Sequence, residues 1–171
     1  LAHFTEGLSC IFRRFSRGLK TGAPFVFTYH HNKREAYDPI TVALLDAQLV
    51  VTRAYPCPAE MGGSIHIQGT ASSILDTVFV CRMTGRLRGV DLVSDAQGLQ
   101  DVVRRDLLQL AVAGLRPTRG DAKCLTYGHI SRLAAWNLRG DWNPDAPTPA
   151  KLATVVAFAR SFGDWGAAVS K

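Results

Sequence analysis

An α/β fold is the class that three features of this chain predict together. The apolar positions between His3 and Lys20 recur at helical steps and run directly into the β run Phe25-Val26-Phe27-Thr28-Tyr29. A second β run, Leu49 to Tyr55, follows after one short apolar segment with a proline-type helix start. Beyond about residue 95 the apolar period becomes helical again. Helix, strand, helix, strand is the alternation that builds layered α/β domains.

Taken in order, Phe4, Leu8, Ile11, Phe12, Phe15 and Leu19 form one stripe, which predicts a first helix that packs on a sheet. Arg13, Arg14, Arg17 and Lys20 gather toward its carboxyl end, where cations complement the helix dipole, and Thr21-Gly22 provides the stop. Residues 24–29 then read as a buried strand. Asp38-Pro39 resembles an N-cap with proline at the first helical position, and Ile40, Val42, Ala43, Leu44, Leu45 and Ala47 continue a short buried helix. With Leu49 to Tyr55 as the next strand, residues 24–55 form a right-handed parallel crossover if both strands share one sheet. Pro56-Cys57-Pro58 closes that strand, since prolines cannot donate to a ladder.

Residues 59–73 read as a polar, glycine-containing loop, and Ile74 to Arg82 as a third strand centred on Thr77-Val78-Phe79-Val80. No helix separates 49–55 from 74–82, so these two strands are expected to be antiparallel. Residues 84–94, with Arg86 and Arg88, read as a basic linker after a first unit at 1–83. Three helices are expected over 95–171: one marked by Leu99, Val103, Leu107 and Leu110, one from about Asp121 to Leu138, and one opening at Thr148-Pro149. They suggest a small helical appendage.

Composition bounds the function. With 171 residues, 47% hydrophobic and 20% charged, the chain has ordinary globular content. Twenty Lys and Arg against fourteen Asp and Glu give a net charge of +6, which favours a polyanionic partner such as nucleic acid. Cys10, Cys57, Cys81 and Cys124 form no C-x-x-C pair, so a zinc ribbon is not expected, no metal site is assigned, and reduced thiols in a cytoplasmic protein fit best. No apolar run approaches the roughly 20 residues of a membrane span, so no membrane partner is expected. The sequence starts at Leu1, not Met, and a fragment or partial reading frame is the expectation.

The chemistry concentrates where the first strand stops. Tyr29-His30-His31-Asn32-Lys33-Arg34 places an aromatic ring, two imidazoles, an amide and two cations at a strand's carboxyl end, the edge where α/β sheets receive ligands. A polar turn whose imidazoles bond backbone and water is the competing reading. Neither a G-x-G-x-x-G nor a Walker loop is present, Phe162-Gly163-Asp164-Trp165-Gly166 has its first glycine one place early for a methyl-donor loop, and no G-x-S-x-G elbow exists.

Phe12-Arg13-Arg14-Phe15, Gly22-Ala23-Pro24, Phe27-Thr28-Tyr29-His30-His31, the run Pro56 to His66 and the run Ile74 to Arg82 succeed one another in a pattern that resembles the carboxyl-terminal part of the adenine-specific DNA methyltransferases. The resemblance covers residues 3–82. It implies part of a Rossmann-like, S-adenosylmethionine-dependent methyltransferase sheet, parallel strands plus an antiparallel terminal hairpin, with 24–29 as the fifth strand. It further implies that Tyr29, His30, His31 and Asn32 line the pocket of an extruded base, Tyr29 stacking and the others approaching the base edge. Lys33, Arg34, His66, Arg86 and Arg88 are then expected on DNA. The donor-binding and Asp-Pro-Pro-Tyr-type loops of that family are absent from these 171 residues. No catalytic residue is therefore assigned within the chain, and its expected partners are DNA and the missing amino-terminal part of the catalytic domain. A non-catalytic nucleic-acid-binding module and an inactive remnant of a truncated gene are the alternatives.

Overall fold

A computed structural model describes residues 1–58, 75–84 and 95–163. Helix α1 (Ala2–Gly18) leads through a turn into β1 (Phe25–Tyr29). In that turn the Ala23 N–H donates to the Lys20 carbonyl at 2.9 Å, and Gly22 takes φ 80°, the left-handed position that glycine occupies without strain. A 3-10 turn (Arg34–Ala36), helix α2 (Asp38–Asp46), strands β2 (Leu49–Pro58) and β3 (Leu75–Met83), and helices α3 (Ala96–Val112), α4 (Arg119–Asn137) and α5 (Thr148–Arg160) complete the order. Asp38 stands one place inside α2, with Tyr37 at the N-cap.

The sheet has three strands in the order β1-β3-β2, and both pairings are antiparallel. The expected Rossmann-like sheet with parallel strands is therefore corrected: among the described residues no parallel pair exists. Strands β1 and β2, joined through α2, point the same way but never pair, because β3 occupies the position between them. The reason lies in side-chain content. Leu75, Thr77, Val78, Phe79 and Cys81 of β3 are all buried, as suits a strand hydrogen-bonded on both edges. Strand β2 alternates exposed Arg53 and Tyr55 with half-buried Ala54 and Pro56, the pattern of an edge strand.

Strand β2 also runs three residues past Tyr55. Pro56 and Pro58 stand opposite Thr77 and Leu75 without ending the ladder. Two residues apart, they share one orientation, and a ladder that continues past them puts both missing N–H groups on the outer edge of β2, which no strand pairs among the described residues. A register shift between Val51 and Arg53 leaves Thr52 as an extra residue, and its hydroxyl donates to the Val80 carbonyl at 2.9 Å.

One sheet face carries Phe25, Phe27, Val51, Phe79 and Cys81 into a core shared with α1, α2 and Ala135 of α4. Phe27 stacks on Phe79 with ring centroids 5.0 Å apart, and Phe12 of α1 meets Phe25 edge-on at 5.1 Å. A second cluster joins Leu75 to Leu99 and Val103 of α3, Leu125 and Leu133 of α4, and Ala159 of α5. Helix α4 belongs to both clusters. Its Trp136 indole N–H donates to the Val51 carbonyl at 2.8 Å, and its first turn is closed by a capping box between Thr118 and Asp121. The same Asp121 carboxylate accepts the Leu75 N–H at 3.1 Å, which ties the start of β3 to the start of α4.

Helix α1 keeps half of its expected packing, with Phe12 buried against the sheet and Leu8 and Leu19 packed on the same core. The face it buries is Thr5, Ser9, Phe12 and Ser16, mostly small residues that permit close approach to α2. Phe4, Ile11 and Phe15, which the stripe places against the sheet, are 55%, 51% and 55% exposed. Of these, Phe15 stacks on Phe25 of β1 at 5.4 Å, while the exposed Val26 belongs to the opposite face of that strand.

Gly128, inside α4, gives a sharp test of this packing. A Cβ there would stand 2.7 Å from Cγ2 of Thr77, a β-branched side chain in a buried strand. Helix propensity alone favours Gly→Ala by about 1 kcal/mol, whereas overpacking a core costs about 1–3 kcal/mol. Gly128→Ala should therefore lower the urea midpoint. A higher midpoint would show that α4 and β3 are not this close.

Candidate functional site

The carboxyl end of β1 is held by an unusual number of polar contacts. Strand alternation turns Tyr29 toward the core and His30 outward, because side chains of successive strand residues point to opposite faces. The Tyr29 hydroxyl donates to the Ala36 carbonyl at 3.1 Å, and its ring meets Tyr37 edge-on at 5.0 Å. Burial raises the pKa of both phenols, so both stay protonated and serve as neutral hydrogen-bonding groups.

His30 is exposed, with its Nδ1 2.8 Å from the Leu75 carbonyl and 3.9 Å from the Asp76 carboxylate. A carbonyl only accepts, so Nδ1 carries the proton, and in the neutral ring Nε2 is left as an outward acceptor. His31 has the opposite tautomer. Its Nδ1 accepts the Lys33 N–H at 3.0 Å, which puts the ring proton on Nε2. Its main chain is fixed as well: the N–H donates to the Tyr37 hydroxyl at 3.4 Å, and the carbonyl accepts the Cys124 thiol at 3.2 Å. Asn32 and Lys33 are exposed, and their side chains make no hydrogen bond or ion pair among the described residues.

Arg34 is engaged differently. Its guanidinium donates to both carboxylate oxygens of Asp38, at 2.8 and 3.1 Å, one helical turn ahead. That pairing closes the segment 30–37 against the start of α2. It also leaves Arg34 less free to meet a phosphate than Lys33. His66, Arg86 and Arg88 lie outside the described residues, as do residues 59–74, the linker and the segment after Gly163.

The structure thus brings Tyr29, His30, His31, Asn32 and Lys33 together on one strand end and adds Asp76, which the sequence reading did not single out. A lone carboxylate within the apolar run from Leu75 to Cys81 was its available signal. Chemically the exposed side offers an outward imidazole acceptor from His30, an imidazole donor from His31 and the amide of Asn32, a set suited to hydrogen bonding with a flat heterocycle, while the half-buried Tyr29 ring packs on the core side. Methyl-donor residues do not fit the described part of the chain. Gly22, Gly114 and Gly163, the described glycines with positive φ, all follow helices, and none occupies the strand-to-helix turn of a glycine-rich loop. Among the described residues no group of three His, Cys, Asp or Glu side chains could hold a metal ion, and no helix is long and apolar enough to cross a membrane.

No protein-family model, no curated protein and no solved structure matches this chain.

Asp38 supplies a pH test of the strand-end scaffold. Burial pushes its carboxyl from 3.8 up to about 6, against the opposing pull of Arg34. The folded state then holds this proton more tightly than the unfolded chain, so the stability it contributes is full below pH 4 and is lost as pH rises through about 6. Asp38→Asn should flatten that part of the stability profile in urea titrations run between pH 4 and 7. An unchanged slope would mean that Asp38 ionises normally.

Proposed function

We propose that this chain provides the target-base side of a DNA methyltransferase acting on the N6 amine of adenine, with the remainder of the catalytic domain joining along the free edge of β1. The observation that carries this reading is the surface beside that edge. Among the described residues β1 pairs on one side only, and Phe15, stacked on Phe25 of β1 at 5.4 Å, and Val26, on the opposite sheet face, stand exposed beside that edge. An unpaired strand edge flanked by apolar side chains is what a sheet leaves when a further strand and its packing layer are taken away. The resemblance over residues 3–82 points toward that family, and the net charge of +6 suits a DNA partner.

On this reading an adenine swung out of the duplex meets the end of β1. Tyr29, with its hydroxyl anchored on Ala36 and one part of its ring packed on Tyr37 and the core, has only its remaining exposed part to stack on the base. His30 Nε2 accepts a hydrogen bond and Asn32 both donates and accepts along the base edge. His31 holds the turn through its main chain while its Nε2–H remains a possible donor. Lys33 meets phosphate, and Arg34 positions the turn through Asp38. S-adenosylmethionine would supply the methyl group from residues outside those described, so this chain's part is to bind and orient the acceptor.

The gene's full-length product, incubated with labelled S-adenosylmethionine and duplex DNA, should place label on adenine, and the 171-residue chain alone should not. Tyr29→Ala should lower turnover by a stacking contribution of about 1–3 kcal/mol, while Tyr29→Phe, which keeps the ring, should retain most of it. Absence of labelled adenine from the full-length reaction would contradict the reading.

A further inference from the structure

A second cleft lies at the far end of α2, about 13 Å of helix away from the strand-end cluster. It occupies about 590 Å³ between α1 and the segment entering α5, and Ser9, Arg13, Arg14, Arg17, Asp46 and Lys151 contribute to its walls. The charges in it are unequally matched. Buried Asp46 already receives Lys151 at 2.9 Å, Arg13 at 3.3 Å and the Trp142 indole N–H at 3.0 Å. Glu6 accepts the Thr148 hydroxyl at 3.0 Å. Arg14 and Arg17, both exposed, have no ion pair or side-chain hydrogen bond among the described residues.

Ser9 gives an independent indication. It is 5% exposed, and its hydroxyl has no hydrogen-bond partner among the described residues. Hydroxyls inside helices ordinarily bond back to a carbonyl in the preceding turn. Thr5, Ser16, Thr41 and Thr126 all do so here. Favourable alignment of the arginines with the dipole of α1 explains their place at its carboxyl end, but neither the concavity nor the unused hydroxyl.

We propose that this cleft binds a phosphate group, with Arg14 and Arg17 as the primary cations and the Ser9 hydroxyl as a buried donor, while Arg13, held by the Asp46 carboxylate and the carbonyls of Asp46 and Pro144, forms part of the wall. Guanidinium groups are the side chains best matched to phosphate oxygens, because they donate two parallel hydrogen bonds. The cleft is larger than a bare phosphate needs and falls within the range of small-ligand sites. The phosphate could therefore come from a free nucleotide-like molecule or from a nucleic-acid strand. This assignment is independent of the methyltransferase reading and survives its failure.

The test is calorimetric titration of the 171-residue chain with inorganic pyrophosphate and, separately, with a short single-stranded oligonucleotide over a range of salt. Arg14→Ala/Arg17→Ala, two exposed changes, should weaken the binding ligand at least tenfold. Arg104→Ala/Arg105→Ala, which removes the same charge elsewhere on the surface, should leave it within twofold. Ser9→Ala should weaken binding several-fold without lowering the melting temperature, since it removes an unpartnered hydroxyl. Binding of pyrophosphate identifies a small phosphorylated ligand. Binding of the oligonucleotide alone, with a salt slope reduced by about 1.4 in the double variant, identifies a strand. Failure of both ligands to bind, or equal losses in the two double variants, overturns the proposal.

Discussion

Everything in this structure depends on β3 being hydrogen-bonded along both edges to strands that run against it. A strand in that position needs apolar side chains on most positions and a free N–H at each one, and Leu75 to Cys81 supply both without a proline. Once β3 is central, β1 and β2 are forced to the outside and to the same direction. The short α2 then makes the connection between them across one sheet face, and its burial along all nine residues follows from lying between that face and α1, α4 and α5.

Polar side chains fix the layers that apolar packing brings together. Asp121 joins the capping of α4 to the beginning of β3, Trp136 joins the end of α4 to β2, and His129 reaches Asp106 of α3 at 2.8 Å inside the helical cluster. Asp46 does the same for α1, α2 and α5. Each is a buried polar group whose partner comes from another element, so losing one partner leaves the other without its hydrogen bond. At the strand end the same logic produces the candidate site. Tyr29 is held through the Ala36 carbonyl and the His31 main chain through the Tyr37 hydroxyl and the Cys124 thiol of α4, while His30, Asn32 and Lys33 remain presented outward.

Local features were legible in the sequence, and non-local ones were not. Helical stripes gave α1, α3, α4 and α5 to within a few residues, and the β-branched and aromatic runs gave all three strands, because both periods are properties of neighbouring residues. Strand order is not such a property. The crossover from β1 to β2 through α2 is compatible with a parallel pair, and only the insertion of β3 between them excludes it. Pro56 and Pro58 read as a stop because their tolerance depends on which edge of β2 is free, a fact about the finished sheet. The buried face of α1 escaped for a related reason: Thr5, Ser9 and Ser16 are weakly apolar but small, and close helix contact selected them over Phe4, Ile11 and Phe15. At the site, the Tyr-His-His-Asn succession was visible directly, whereas the Asp76 and Leu75 partners of His30 lie 46 and 45 positions away.

The outer edge of β1 is where the fold and the proposed function meet, and backbone hydrogen exchange reads that edge directly. In an edge strand alternate N–H groups point at the neighbouring strand and the rest face outward. Within residues 25–29 of the 171-residue chain, amides directed at β3 should be protected and the alternate amides should exchange rapidly. On the proposed function a further strand covers the edge in the full-length product, and there all of them should become protected. Full protection across 25–29 in the 171-residue chain alone, or alternate amides that stay fast in the full-length product, would contradict the unfinished sheet edge on which the methyltransferase reading rests.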